Sequence, residues 1–462
     1  MRTSILQRLI EPKQMLAQER RRFSDKDLIL LIMPIVAEQF LELLVGIADT
    51  LMVSYAGETA VSGVSLVNQL NNVIILVFSA LASGGAVIAS QYIGSKDKEN
   101  GIRAGSQLLM ITTLISIVLT ATTLLFGHSI FTALFGAVEP EVYRNGMDYL
   151  RISAYSFVSL AIYNACAGLY RSMGKTKELM YVSLIMNGIN VIGNAIGVFI
   201  LHAGVAGVAY PSLISRTFVA LVMLVFMSNK KNVLYLRMQN VMTWNGEMLG
   251  RIFHVAIPNS IENSLFQMTK VAFSSIVAMF GTVQIAANGV AQSFWSMAAL
   301  FCLAMGPAFI TVVGQYMGAN DVEGAEYYMK KLLRLTWLGG FLWNIVFFAV
   351  SPLLLMLYDL SAETVRLILI LAFLHNLFNA LLCPVSYSLV CGLRAAGDIK
   401  FTLYSSIFSS VICRVALSVM FGIWLNLGVI GVTLAMVCDW LVRAVMVAFR
   451  YRSGKWKQFK VI

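Results

Sequence analysis

The chain has 462 residues, 58% of them apolar and only 12% charged, a formal net charge of +11 and a mean hydropathy of +0.78. A water-soluble globule carries about twice that charged fraction, so the composition excludes one and points to a chain that lives in a bilayer. The positive charges are scattered along the chain and not gathered in one patch, which argues against a nucleic-acid-binding surface.

Residues 1–26 are polar and basic. The pattern Ile5-Leu6-x-x-Leu9-Ile10 with Arg8, Lys13 and Arg20 to Arg22 fits either a short amphipathic helix on the inner leaflet or a frayed cytoplasmic tail. No cleavable signal is visible, because the first apolar run, from Leu28, is too long and is interrupted by Pro34, Glu38 and Glu42. Crossing the hydrocarbon takes about 20 apolar residues, and twelve runs qualify. They lie near 27–52, 64–93, 103–126, 146–170, 178–201, 205–228, 252–279, 285–317, 328–350, 364–391, 401–424 and 428–450.

Gln91-Tyr92-Ile93-Gly94-Ser95-Lys96-Asp97 returns 224 residues later as Gln315-Tyr316-Met317-Gly318-Ala319-Asn320-Asp321. The same offset pairs Pro34 with Pro258, Glu38 with Glu262, Gly57 with Gly281, Gly204 with Gly428 and Gly207 with Gly431, and with slippage Arg171 and Gly174 meet Arg394 and Gly397. The chain is therefore read as a duplication. Six spans is an even number, so both halves enter from one side as parallel repeats, related by a pseudo-two-fold axis along the membrane normal. The predicted fold is an all-α membrane protein of twelve helices: a first lobe over 27–228, an inter-lobe linker over 229–251, a second lobe over 252–450 and a tail over 451–462. Duplicated membrane halves are the usual build of secondary transporters.

Placing the N-terminus in the cytoplasm puts Arg20 to Arg22, Lys96, Lys98, Lys175, Lys177, Lys230, Lys231, Lys330, Lys331, Lys400 and the basic tail inside, and leaves only Arg144, Arg151 and Arg366 outside. Six cysteines, Cys166, Cys302, Cys383, Cys391, Cys413 and Cys438, fall within spans without a redox or zinc spacing and read as buried free thiols. His128, His202, His254 and His375 do not pair at metal spacing. Neither a P-loop nor a dinucleotide fingerprint opens any helix, so an ATP-driven pump or another enzyme is not expected.

Ionisable residues inside spans are costly and mark function by default. Glu38, Glu42 and Asp49 are spaced by four and seven, which at about 100° per residue puts them within roughly 40° on one stripe. Glu38 and Asp49 are separated by about 16 Å of helical rise, two depths of one hydrated path. Such carboxylates can take up a proton or coordinate Na⁺ with neutral oxygens. Asn187, Asn190 and Asn194 on the fifth span, with Asn190 and Asn194 on one face, and Ser212 on the sixth could supply them, or could simply pack helices. Arg216, Lys270 and Arg414 also fall in spans, and Asp439 is expected to pair with Arg443 one turn away.

These pieces resemble the multidrug and toxic compound extrusion (MATE) family of cation-coupled exporters. The resemblance rests on Gly46-Ile47-Ala48-Asp49-Thr50 with Gly57, Ala89-Ser90-Gln91-Tyr92-Ile93-Gly94, Gly168-Leu169-Tyr170-Arg171-Ser172-Met173-Gly174, Gly204-Val205-Ala206-Gly207 and Gly392-Leu393-Arg394-Ala395-Ala396-Gly397-Asp398. It covers all twelve spans. It implies two six-helix lobes arranged as a V and a first-lobe cation site at Asp49, Asn190, Asn194 and Ser212, with Glu38 as a further coupling acid. Many relatives carry an Asp where Asn194 stands. Others place acids on the seventh and tenth helices, where this chain offers Glu262, Gln267 and only Glu363 at an outer end. The cargo implied is a cationic, partly aromatic small molecule, with Glu42, Glu262, Gln267, Tyr155, Asn164 and Asn379, and the aromatics Phe157, Phe266, Phe294 and Trp295, as candidate cavity residues.

The function expected is secondary active multidrug or organic-cation efflux, antiporting H⁺ or Na⁺ by alternating access. It needs no cofactor beyond that ion and no metal beyond possible Na⁺ at Asp49. The alternative is a related flippase of a lipid-linked or polyanionic precursor, for which the basic residues within spans are few. A monomer in the cytoplasmic membrane, with lipid and small molecules as its partners, completes the expectation.

Overall fold

The computed structural model of the chain describes residues 10–12, 16–136, 138–356, 360–459 and 461–462. The motif expected at residues 5–10 therefore lies almost wholly outside the described residues. The described residues form helices and turns, with no strand among them. Twelve long elements follow in order: α1 (Asp25–Ser54), α2 (Glu58–Ser95), α3 (Lys98–Phe135), α4 (Pro140–Tyr155, bent by 47° into Phe157–Ser172), α5 (Thr176–Ile200), α6 (Ala206–Ser228), α7 (Gly246–Ala278), α8 (Thr282–Gly318), α9 (Val322–Leu355), α10 (Ala362–Ala395), α11 (Ile399–Trp424) and α12 (Gly428–Arg452). Ten are long and apolar enough to cross a membrane, and the bent α4 makes eleven. The remaining helix, α7, has 33 residues, ample for a span, but Asn259, Glu262, Asn263, Gln267 and Lys270 dilute its apolar character.

Packing divides the chain into one compact unit of residues 29–260 and another of residues 261–462 together with 1–28. In the first unit the linker docks on α3: Gln107 donates to the carbonyls of Asn240 and Thr243 at 2.6 Å each and accepts from the Asn245 amide at 3.0 Å. In the second, the segment before Ile29 docks on α9, where Arg20 pairs with Glu323 at 2.7 Å and Lys331 with Glu11 at 2.6 Å.

The sequence repeat is a structural repeat down to its turns. Lys96 and Asn320, 224 residues apart, both take left-handed backbone, with φ of 62° and 56°. The next residue caps the following helix in both copies: Asp97 accepts from the Asn100 amide at 3.1 Å, and Asp321 from the Gly324 amide at 2.9 Å. Gly57 and Gly281 precede α2 and α8 with φ of 105° and 91°, values that a side chain would strain. Both α5 and α11 end in a π-helical segment, Ile196–Ile200 and Val419–Trp424.

Prolines inside spans need their lost hydrogen bonds answered, since lipid supplies no donor. Pro34 in α1 leaves the Leu30 carbonyl without its usual partner four residues on. The Thr176 hydroxyl, at the start of α5, lies 3.0 Å from the Leu30 and Leu31 carbonyls and supplies the donor. The α5–α6 seam is a backbone contact: a Cβ on Gly197 would stand 2.2 Å from the Gly207 carbonyl oxygen, so only glycine fits.

The linker also allows a test of the expected cytoplasmic orientation. Asn232 is buried and accepts from Lys175 at 2.6 Å, whereas Lys231 is exposed. A single cysteine at Lys231 should react with an impermeant maleimide only after intact cells are opened. Labelling from outside would reverse the orientation.

Candidate functional site

The first unit encloses a cavity of about 690 Å³ walled by α1, α2, α4, α5 and α6. Asp49 reaches it from α1 and accepts a hydrogen bond from Asn194 Nδ2 at 2.6 Å. The same amide lies 3.2 Å from Asn190 Oδ1, and Asn190 Nδ2 donates to Ser212 Oγ at 2.9 Å. One hydrogen-bonded chain thus joins Asp49, Asn194, Asn190 and Ser212 across three helices. The spacing of four puts both amides on one face of α5, and Pro211 beside Ser212 packs against Gly193 of that helix. Asn194 Oδ1 is buried without a hydrogen-bond donor, a free acceptor oxygen beside a carboxylate. Carboxylate, amide and hydroxyl oxygens suit a hard monovalent cation or a proton shared with the acid.

Glu42 is exposed to the same cavity and accepts from Gln39 at 3.1 Å. Asn164, Tyr149 and Arg216 also line it, with Asn68, Asn71 and Asn72 of α2, and Arg216 donates to Ser156 Oγ at 2.9 Å. Glu38 is different. It is buried and held by Arg171 of α4 at 2.8 Å, with the Tyr163 hydroxyl at 3.4 Å. The second unit repeats this pair where the duplication demands it: Glu262 of α7 is held by Arg394 of α10 at 2.6 Å, and also by Arg443 and by the Ser406 hydroxyl at 2.7 Å.

A model of the MatE family matches residues 34–196 and again 258–420, two copies at the same 224-residue spacing. The chain belongs to the MatE family. Its curated relatives include the uncharacterized transporter YisQ of Bacillus subtilis, 27% identical with 92% of this chain and 93% of YisQ covered. Another is the probable multidrug resistance protein NorM of Thermotoga maritima, 24% identical over 95% and 94% of the two chains. Among solved structures, an outward-facing multidrug resistance MATE family transporter matches with a TM-score of 0.85 at 21% identity, covering 94% of this chain and 98% of that one. The twelve-helix repeat fold is that of MATE transporters.

Within this MatE protein, several residues expected in the substrate cavity stand elsewhere. Glu262 is closed into its arginine cluster, because a buried carboxylate must be paired and helices α10 and α12 offer two guanidiniums. Asn379 is buried and donates to the Ala298 carbonyl at 3.1 Å and to Asn344 at 3.3 Å, tying α10 to α8 and α9. Tyr155 lines a separate pocket of the first unit with Arg144, Arg151 and Tyr210, and Gln267 is half-buried on α7. Phe157 and Phe294 are core. The expected Asp439–Arg443 pair does not form: Asp439 takes Arg414 at 2.6 Å, while Arg443 turns to Glu262, since cross-helix pairing satisfies two buried acids where a local pair would satisfy one. All six cysteines are free and at least half-buried.

Sequence reasoning missed Arg171 as the partner of Glu38. The signal was present, because two residues of opposite charge, Glu38 and Arg171, are both repeated in the second half as Glu262 and Arg394. The two acids of α1 should therefore separate by stability. Glu38→Gln removes the carboxylate that neutralises Arg171 and should cost about 3–5 kcal/mol. Asp49→Asn loses one hydrogen bond at the cavity wall and should cost about 1 kcal/mol. Thermal unfolding in detergent compares them, and an unshifted midpoint for Glu38→Gln would show that the pair is not structural.

Proposed function

We propose that this chain is a secondary active exporter of small organic cations, coupled to inward H⁺ or Na⁺ at Asp49 by alternating access, and that it works as a monomer in the cytoplasmic membrane with both termini inside. The observation that carries the reading is the hydrogen-bonded chain from Asp49 through the buried Asn194 and Asn190 to Ser212, whose two ends line a cavity that also exposes Glu42. The name of the Thermotoga relative, probable multidrug resistance protein, supports export of varied small molecules.

Exchange follows from competition. With Asp49 and Glu42 ionised the cavity attracts a cation, and an ion seated at Asp49 removes that attraction. Linkage makes the effect reciprocal: ion and cargo weaken each other by one factor, typically about 5- to 150-fold. The neutral oxygens of Asn190, Asn194 and Ser212 hold the small ion and leave Glu42 and the wider cavity for cargo. Glu38, paired with Arg171, fixes α1 and does not exchange its ion.

In reconstituted vesicles, an imposed pH gradient or an imposed Na⁺ gradient should drive efflux of a cationic dye, and Asp49→Asn should abolish that drive while the protein still inserts. Dye affinity by titration calorimetry should fall as pH is lowered or Na⁺ raised, and the Asn variant should flatten the dependence. Full gradient-driven efflux by Asp49→Asn would assign coupling elsewhere.

A further inference from the structure

The second unit holds a smaller cavity of about 290 Å³, between α7, α8, α11 and α12. Most of its walls are duplication images of the first-unit cavity: stepping by 224 residues carries Glu42 to Phe266, Gly46 to Lys270, Asp49 to Phe273 and Ser212 to Met436, and carries Asn190, behind that wall, to Arg414. Both acids of that set have become aromatics and two of its uncharged positions have become cations, while Ser274, Gln292 and Ser296 stay polar where Thr50, Asn68 and Asn72 stand. The charge of the site is inverted.

The Lys270 ammonium stands over the Phe266 ring at 5.4 Å and the Trp295 ring at 5.8 Å, and the Arg414 guanidinium over Phe266 at 5.3 Å. Two cations thus share one ring. Among the described residues a carboxylate pairs with one of the two, Asp439, 2.6 Å from Arg414 and held also by Ser410 at 3.3 Å. Lys270 makes no ion pair among the described residues, and Arg414 Nε and Trp295 Nε1 are buried donors without an acceptor. Trp295 is held in place by stacking on Trp440, with centroids 6.1 Å apart.

We propose that this pocket binds an oxyanion carried on an aromatic or apolar body, such as a carboxylate, sulfonate or phosphate monoester, with Lys270 and Arg414 on the anion and Phe266 and Trp295 on the body. Unpaired donors around an excess positive charge are completed by an acceptor with negative charge, and the faces of Phe266 and Trp295 beside those donors favour an anion that carries an apolar body. The site takes no part in cation coupling at Asp49, so its test stands or falls independently of the proposed function. Its ligand can arrive as a free amphiphilic anion or as the phosphate of an anionic lipid, and both present the same chemistry.

The probe is 2-naphthalenesulfonate, with neutral 2-naphthalenesulfonamide as its uncharged match, titrated by calorimetry into the full chain in phosphatidylcholine nanodiscs. The sulfonate should bind about tenfold more tightly than the sulfonamide, the scale of one charge-assisted hydrogen bond. Lys270→Gln should erase that preference and Lys270→Arg restore it, each with an unchanged melting midpoint. Displacement of the sulfonate by short-chain phosphatidylglycerol in the wild type would assign the site to a lipid headgroup, and indifference to it would assign the site to free anions; either supports an oxyanion site. Equal affinity for the two probes in the wild type, or a folded Lys270→Gln that keeps the preference, would overturn it.

Discussion

An ion in hydrocarbon must be neutralised by another, and this requirement organises both lobes. Glu38 and Arg171, Glu262 with Arg394 and Arg443, and Asp439 with Arg414 each join different helices of one unit. Each pair does two things at once: it lowers the cost of burying its members, and it fixes the rotation of the helices that carry them, since a helix turned away would strand a charge. The apolar surface that surrounds these pairs is interchangeable in detail, as lipid and leucine are much alike to a helix. The ionic pairs are not. They give α1 a defined facing, and that facing is what presents Glu42 and Asp49 to the cavity.

Against this shared framework the two halves keep several scaffold features in common while the charge of their cavities differs. The capped turns at Asp97 and Asp321, the glycine entries at Gly57 and Gly281, the acid and arginine pairs and the terminal π-helical segments are held in common. The cavity walls are not: a hydrogen-bonded acid and amide chain in one unit faces, at equivalent positions of the other, aromatic rings stacked with cations. Duplication followed by divergence has left one protein with two cavities of unlike charge on a common scaffold.

The sequence made the fold legible because apolar runs of span length and a 224-residue repeat are properties of the chain itself. It also pointed to the cluster of Asp49, Asn190, Asn194 and Ser212 that the fold brings together, since a spacing of four on α5 and the stripe on α1 survive folding unchanged. What it could not disclose were distances between helices. Asp439 and Arg443 look paired because they are one turn apart, yet Arg414 from α11 is the nearer solution. Glu262 looks like a cavity acid because it lies on α7, yet two guanidiniums from α10 and α12 claim it. Asn379 looks available because an amide in a span invites a role, and it is consumed tying three helices together. In each case the deciding partner is remote in the chain and reaches the residue only through packing.

The contact between Gly197 and Gly207 has a mechanical consequence. With no room for even a methyl group between them, α5 and α6 are joined backbone to backbone and behave as one stiff element. That element carries Asn190, Asn194 and Ser212, so the three neutral oxygen-bearing side chains keep a fixed spacing among themselves. Asp49 rides on a different helix and touches them through a single hydrogen bond from Asn194. Any displacement of α1 against the seam is therefore concentrated in one bond length, as the motion of a needle against a fixed dial.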